Sequence, residues 1–516
     1  MTETWDVVVI GAGSSGLAMS ARLADRGAKV LVLEAGADFR TADLNAAWRS
    51  PNAVQPYLSP SSSEYLWPAL VATRTDSQDA THYARGKGVG GSSIVNGQIA
   101  IRPPANDFDE WAKAGCTGWG YSDVEQYLCR LENDLDFGDA NHHGSSGPTP
   151  IYRTPLTKWG AIDTALRSAA LERGFAWHDD VNAPGATGVS PYPYNALDFR
   201  RVTANDAYLE PRRDMPNLQV RSGSLVDRVD VRDGRAKAVV LADGTRIEGE
   251  QIVLSGGVVG SAEVLLRSGI GPSEDLRRLD IPVVQDLPVG QYLQDHPQLH
   301  LNVMPRPEYA ADIDDRHTNC CVRFTTGIGD VDNDVMMISG NQDVSSFYPS
   351  GVLAGCGSVD VWVNRAYSFG SLTLNSRDPE QRARVRQGFL SEAQDMERMK
   401  YGVREVLEIL ATQSFADISA ESPRHVNKEL FEAIDQGEAA FEKFLLDTVT
   451  DAAHGTGTCR MGSENDNDVV VDSQCRVLGI DRLSVVDASI LPFCPRSNTY
   501  LVSLMVGEVM GDRLSV

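Results

Sequence analysis

The sequence predicts an α/β fold whose parallel sheet begins in the first 35 residues. Three stretches predict it. Residues 5–11 (WDVVVIG) and 29–34 (KVLVLE) are short apolar runs, and Ser15 to Arg26 between them places Leu17, Ala18, Ala21 and Leu23 on one helical side. Strand, helix and strand inside 35 residues imply a right-handed crossover and parallel pairing. Residues 216–256 alternate in period two, with Asp-Gly turns at 233–234 and 243–244, which reads as a β-meander. Residues 482–487 (RLSVVD) and then 499–513 read as a last strand and a last helix.

The intervening segments follow in order. Residues 40–85 are polar and irregular, and SPSSSEY at 59–65 is the loosest stretch. Residues 122–135 read as a helix. DANHHGSSGPTP at 139–150 reads as a loop or a domain crossing. Residues 300–380 are strand-rich. Residues 391–412 form a helix with Met396, Met399, Val403, Val406 and Leu410 at helical spacing, and 426–448 read as acidic helices. The acidic run at 107–110 reads as a solvated face or a helix start.

Composition excludes several function classes. The chain has 47 basic and 71 acidic side chains, a formal charge of −24. Phosphate backbones and anionic lipid surfaces both need a basic partner, so neither nucleic acid nor a membrane surface is expected. No apolar run approaches the length of a membrane span, and the first residues carry no secretory pattern, so a cytoplasmic location is expected. The eight cysteines form no C-x-x-C pair, and adjacent Cys320 and Cys321 are not a zinc spacing, so reduced thiols and no metal are expected. His142 and His143 are likewise not expected to hold a metal, and Cys459 is read as a packing residue.

Gly11, Gly13 and Gly16 form G-x-G-x-x-G at the first strand-to-helix turn. The first glycine permits the turn, the second lets backbone approach a pyrophosphate, and the third lets helix and strand pack closely. Ser14 and Ser15 open the helix, whose free N–H groups and positive dipole end suit phosphate. Glu34 ends the second strand, where a carboxylate can accept from both ribose hydroxyls and would repel a 2′-phosphate. The dinucleotide-binding unit is therefore Rossmann-like. FAD and NAD both remain possible on this motif.

Four more stretches follow in order: RGKGVGGSSIVNG at 85–97, GGVVGSAEVLLRSGIGP at 256–272, VGQYLQDHP at 289–297, and HGTGTCRMG at 454–462 with VDASILPFCPRSN at 486–498. Together they resemble the glucose–methanol–choline (GMC) family of FAD-dependent oxidoreductases from the first strand to the last helix. The resemblance implies FAD, and a Rossmann-like FAD-binding domain interleaved with an α+β substrate domain built on an antiparallel sheet. The expected division gives 1–150, 196–300 and 446–516 to the FAD domain and 151–195 and 301–445 to the substrate domain. Ala84, Ala262 and Phe369 depart from residues common in the family.

The glycines Gly86, Gly88, Gly90 and Gly91 are expected to leave backbone N–H groups bare for the flavin's diphosphate and ribityl side. Ser92, Ser93 and Asn96 are expected near the isoalloxazine, and Arg85 and Gly97 among the other cofactor-binding residues. The resemblance also implies cofactor contacts at Val226, whose backbone meets the adenine, and at Asp487 and Ala488. The tail helix should begin near Thr499 and point its N-terminus at the flavin pyrimidine, where reduction leaves negative charge. Some family members link flavin covalently to a histidine just before the asparagine. Here that residue is Val95, so FAD is expected to be non-covalent.

The family passes a hydride from a carbinol carbon to flavin N5, and the hydroxyl proton must leave to a base. Histidine suits that task. His454 matches the family's catalytic histidine. Asn498, 44 residues on, matches a second position that is histidine or asparagine in the family, and is expected to orient the substrate oxygen. His296 is expected to be structural. The expected partners are a small alcohol and O2 or another electron acceptor. Three rival readings are a lyase on the same FAD fold (hydroxynitrile lyase or photodecarboxylase type), an NAD enzyme, and a non-catalytic binding protein. The pocket is expected within 300–440, where Trp362, Tyr367 and Phe369 can contribute and no motif names the substrate.

Overall fold

A computed structural model describes residues 4–58, 64–345 and 353–515. Most of the loose stretch 59–65 lies outside these residues. The first layer is a sheet in which Leu218–Arg221, Val30–Leu33, Trp5–Ile10, Arg246–Leu254 and Leu483–Val485 run parallel in that order. Val7, Val8, Val9, Leu31 and Val32 are fully buried, which is why these runs are continuously apolar rather than alternating.

Arg246–Leu254 serves two purposes. Its first half pairs antiparallel with Arg235–Leu241, which pairs with Val226–Arg232. The meander therefore has three strands, and Leu218–Arg221 leaves it to join Val30–Leu33 in the parallel sheet. Alternation alone cannot tell these destinations apart. Asp233 and Gly234 both adopt left-handed backbone (φ 53° and 69°), as a two-residue hairpin turn demands.

The helix Ser14–Asp25 crosses the C-terminal helix Tyr500–Arg513 closely. A Cβ on Gly507 would lie 2.4 Å from Ser15 O. Buried Glu508 locks the crossing by accepting from Arg22, Arg130 and Tyr208.

The second layer is an antiparallel sheet ordered Thr450–Asp451, Pro297–Val303, Gly357–Val363, Val335–Gly340, Cys320–Phe324 and Gly188–Pro191. One face carries Leu299, Leu301, Val359, Val361, Val335 and Met337, which pack with Met399, Val403 and Val406 of the helix Ala393–Leu410. The other face carries Gln298, His300, Asp360, Trp362 and Ile338 into a cavity. Period-two alternation thus divides a core from a site.

Two expectations need correction here. The helix read over 122–135 stops at Leu131, and Glu132–Asp134 is a strand parallel to Thr149–Arg153. From that extended backbone, Glu132 and Asp134 reach buried partners in Arg102, Arg153 and His143. The run 107–110 is a helix start, in Ala105–Lys113, as one of its two readings had it, but Asp107 is not solvated. It is fully buried and accepts from Arg496 N and Nε, each at 2.7 Å. Among the described residues no helix is long and apolar enough to cross a membrane.

Candidate active site

The cofactor channel begins at the first turn. Gly11, Gly13, Ser14, Ser15, Glu34, Arg85, Gly91, Ser92, Val226, Asp487, Ala488 and Thr499 all line it. Gly16 lies beneath, where a Cβ would sit 2.3 Å from Gly11 O. A Cβ on Gly13 would meet only Ser255 O at 3.9 Å, and one on Gly257 or Gly260 nothing within 4 Å. These bare backbone faces look into the channel, and with the unpaired N–H groups of the first helical turn they suit a dinucleotide's pyrophosphate. Glu34 is buried and accepts from the N–H groups of Ala12, Gly36 and Gly88 at 3.0, 2.8 and 3.1 Å. Burial pushes its carboxyl above the ordinary range, and those bonds oppose the shift.

The glycine loop differs from expectation. Gly86 N donates to Ser92 Oγ, Gly88 N to Glu34, Gly90 N to Ala12 O and Gly91 N to Gly88 O. These N–H groups are therefore not bare for a diphosphate. The glycines serve close approach instead: a Cβ on Gly91 would fall 2.7 Å from Gly13 Cα. Ser93 likewise turns inward, donating to Gly90 O and accepting from Ala204 N. Asn96 Oδ1 accepts from Gln98 N and from Arg201. Asn96 and Gly97 line the adjoining cavity. Val226 O accepts from Arg267 at 3.3 Å. Asp487 caps the turn Ala488–Ile490 and holds Gly257 N and Ser261 Oγ. Thr499 is the residue before the C-terminal helix, as expected.

His454 follows the short strand Thr450–Asp451. Its N–H donates to Asp295 Oδ1 at 2.7 Å, as does that of His296 at 2.8 Å. Asp295 Oδ2 accepts from Tyr83 at 2.9 Å, and Arg85 lies 3.7 Å away. Burial and the nearby Asp451 carboxylate push the Asp295 carboxyl up to about 6. Asp295 thus fixes two histidines through their backbones.

The rings are coupled as well. Asn498 Nδ2 donates to His454 Nε2 at 3.0 Å, and Tyr192 donates to Asn498 Oδ1 at 3.1 Å. His454 Nδ1 lies 3.0 Å from His296 Nδ1, and His296 Nε2 lies 3.3 Å from Cys494 Sγ. One proton arrangement satisfies the whole chain: His454 carries its proton on Nδ1 and donates to His296, leaving a lone pair on Nε2. Burial holds the His454 imidazole well below its ordinary pKa, with His296 and Arg85 acting in the same direction. Burial also pushes His296 down to about 4. His296 is therefore in direct contact with His454, beyond the structural place read from D-H-P. Tyr192, Asp295 and Cys494 were not singled out at all. The D-H-P motif marked Asp295, whereas no motif marks Tyr192.

His454 and Asn498, joined by that Nε2 bond, both line a cavity of about 620 Å³. It adjoins the channel, for Ser14, Arg85, Ser92, Ala453, Thr499 and Ser503 line both. Its walls come from Ser14 and from 51–57, 74–99, 192–194, 298–362, 449–454 and 498–503, a wider set than the 300–440 expected. Trp362 stands edge-on to His454 at 6.0 Å between ring centres. Tyr367 and Phe369 are not in the wall, and Phe369 is exposed.

The His142–His143 loop packs into a buried charge cluster. His143 Nδ1 meets Glu132 at 2.6 Å and Nε2 meets Asp180 at 2.9 Å. Two sets, His142–His143–Asp180 and Glu132–Asp134–His143, bring ligand atoms within 4.8 Å of one another. Yet Arg102, Arg153 and protonated His143 balance Glu132, Asp134 and Asp180, so the cluster is satisfied without a cation. These carboxylates push His143 up to about 9 against desolvation.

A dinucleotide channel that opens onto a neutral histidine paired with asparagine defines a dinucleotide-dependent oxidoreductase. Comparison with known proteins narrows this class. The GMC oxidoreductase family profile matches residues 5–298 and 366–507. A 5-(hydroxymethyl)furfural oxidase from Methylovorus is 32% identical over 100% of this chain and 99% of the relative. An oxygen-dependent choline dehydrogenase from Rhizobium johnstonii is 30% identical over 99% and 95%. The structure of pyridoxine 4-oxidase from Mesorbium loti superposes with TM-score 0.86 at 27% identity, over 99% of both chains. The chain belongs to the GMC oxidoreductase family. It is an FAD-dependent oxidoreductase acting on CH–OH groups.

Proposed function

We propose that the enzyme oxidises a small primary alcohol borne on an aromatic or heteroaromatic ring, with His454 as base and Asn498 orienting the substrate oxygen. The observation that carries this reading is the meeting of channel and cavity at the His454–Asn498 pair. FAD held by the Gly11–Gly16 turn, Glu34, Val226, Asp487, Ala488 and Thr499 supplies the hydride acceptor. The substrate hydroxyl displaces Asn498 Nδ2 from His454 Nε2, the freed amide N–H donates to the substrate oxygen, and Nε2 takes the hydroxyl proton. His296 holds the proton on His454 Nδ1, so only Nε2 can accept. Tyr192 holds the Asn498 amide.

The substrate class rests on the cavity walls and on two relatives. Trp362, Tyr192 and Tyr194 present aromatic surface. The wall carboxylates Asp360 and Asp451 already have partners in His300 and Arg74, which favours a neutral substrate over a cation such as choline. The relatives named for hydroxymethylfurfural and pyridoxine point the same way. Val95 offers no nucleophile, so FAD is held without a covalent bond; acid precipitation should leave the flavin in the supernatant. O2 or another acceptor completes turnover. The five-segment division of the chain and a cytoplasmic location belong to the same reading.

The variants His454→Ala and Asn498→Ala test the roles. His454→Ala should lower kcat/KM by about 10²–10⁴-fold, the usual range for a general base. Asn498→Ala should lower it less. The reverse order contradicts these roles.

A further inference from the structure

The cavity wall carries one polar row that the chemistry at His454 does not use. Gln298 pairs across the sheet with Trp362, and His300 pairs with Asp360, one pleat repeat further along. That repeat is roughly 6.7 Å. The row therefore begins beside Trp362, the tryptophan edge-on to His454, and extends away from the reacting centre. All four side chains line the cavity.

The hydrogen-bond inventory of this row is one-sided. Asp360 Oδ1 accepts from His300 Nδ1 at 2.8 Å, and Oδ2 accepts from Gln298 Nε2 at 3.0 Å. The second bond fixes the amide orientation, because a carboxylate accepts only from the NH2 end. Gln298 Oε1 is then left without a donor among the described residues. Each carboxylate oxygen of Asp360 also keeps lone pairs. Near Gln298 and Asp360 the row thus offers open acceptors beside the second N–H of Gln298 Nε2, a combination that one hydroxyl can meet. Asp360 Oδ1 is already bonded by His300, and a neutral donor fills what remains. An unpaired acceptor in a wall of Trp362, Ile338 and tyrosines is costly unless water or a ligand fills it.

We infer that Gln298 and Asp360 recognise a hydrogen-bond donor, in the simplest case a second hydroxyl, on the part of the ring substrate remote from the carbinol being oxidised. This rests on the reading of the cavity as the site of a ring-bearing primary alcohol. A trimethylammonium group has no donor to give, so the row discriminates against it without a clash. A site built to bond a hydroxyl rejects the analogue that lacks it, because its own polar atoms are then stranded.

The test compares 1,4-benzenedimethanol with 4-methylbenzyl alcohol, which differ by one hydroxyl. Both are measured for kcat/KM and for Kd on the oxidised flavoprotein, read by perturbation of the flavin spectrum. The diol has two equivalent ends, so a twofold preference is statistical. The wild-type enzyme should favour it by about tenfold or more, the worth of one well-made hydrogen bond. Gln298→Leu should reduce the preference to about the statistical factor while leaving 4-methylbenzyl alcohol little changed. Asp360→Asn is the second variant and should also reduce it; flavin content checks that each variant is folded. Equal handling of the two alcohols by wild type overturns the inference, and so does a preference that survives in both variants. If neither alcohol is oxidised but the diol binds tighter in a Gln298-dependent way, the recognition stands and the alcohol-oxidation reading falls. If both are oxidised equally, the reverse holds.

Discussion

The base role proposed for His454 requires a neutral ring, and its surroundings favour one. Burial first, and then His296 and Arg85, lower its pKa well below the ordinary histidine value. A lowered pKa places the loss of the base at acid pH: kcat/KM should hold from neutral pH down past 6.5 and fall only below it. A profile whose acid limb lies at or above pH 6.5 contradicts this environment. His296→Ala removes the acceptor on His454 Nδ1 and frees the wrong tautomer; about tenfold in kcat, with little change in KM, is the expected cost of one such bond. His454 and Asn498 stood out in the sequence because each sits in a distinctive local motif, and the structure sets their side chains 3.0 Å apart. The bond between His454 and His296 was not legible, since it joins residues 158 apart. Tyr192 was invisible for the same reason: its hydroxyl reaches Asn498 from a strand edge 306 residues away.

At the scale of elements, the glycine motifs were read in the right places and partly for the wrong reason. The first turn behaves as its spacing implies, with Gly16 buried against Gly11 and Gly13 bare to the channel. In 85–97 the glycines let two loops touch, and their N–H groups are spent inside the protein. Spacing shows that a side chain is excluded but not what excludes it. The strand Glu132–Asp134 was misread because its charges suit a helix surface in sequence and a buried ion cluster in space. That cluster makes its own prediction. His143 has a folded pKa of about 9 against an ordinary 6.5, so its contribution to stability is complete below pH 6.5 and is lost as pH rises through about 9. Tm should therefore fall between those limits, by at most about 3 kcal/mol of stability at ~1.4 kcal/mol per unit. The same pH step should affect His143→Gln less. An identical pH dependence in both proteins contradicts the protonated, carboxylate-held histidine.

The whole molecule places its chemistry where two sheets meet. The parallel sheet supplies the channel from its strand ends, and the antiparallel sheet turns its polar face towards the same point. The first 35 residues foretold the start of the first sheet and the last 35 a further strand and helix, since apolar runs and glycine turns are local signals. The cavity was less legible because its wall draws on stretches scattered from Ser14 to Ser503 and its aromatic members follow no motif. The central claim is that the protein draws a hydride from a ring-bearing primary alcohol after His454 takes the hydroxyl proton. The most direct measurement is an anaerobic titration of the purified flavoprotein with such alcohols, following the flavin band near ~450 nm. The account predicts stoichiometric bleaching by the wild-type protein, and bleaching slowed by about 10²-fold or more in His454→Ala. A flavin that stays oxidised with every alcohol, or that bleaches equally fast without His454, contradicts it.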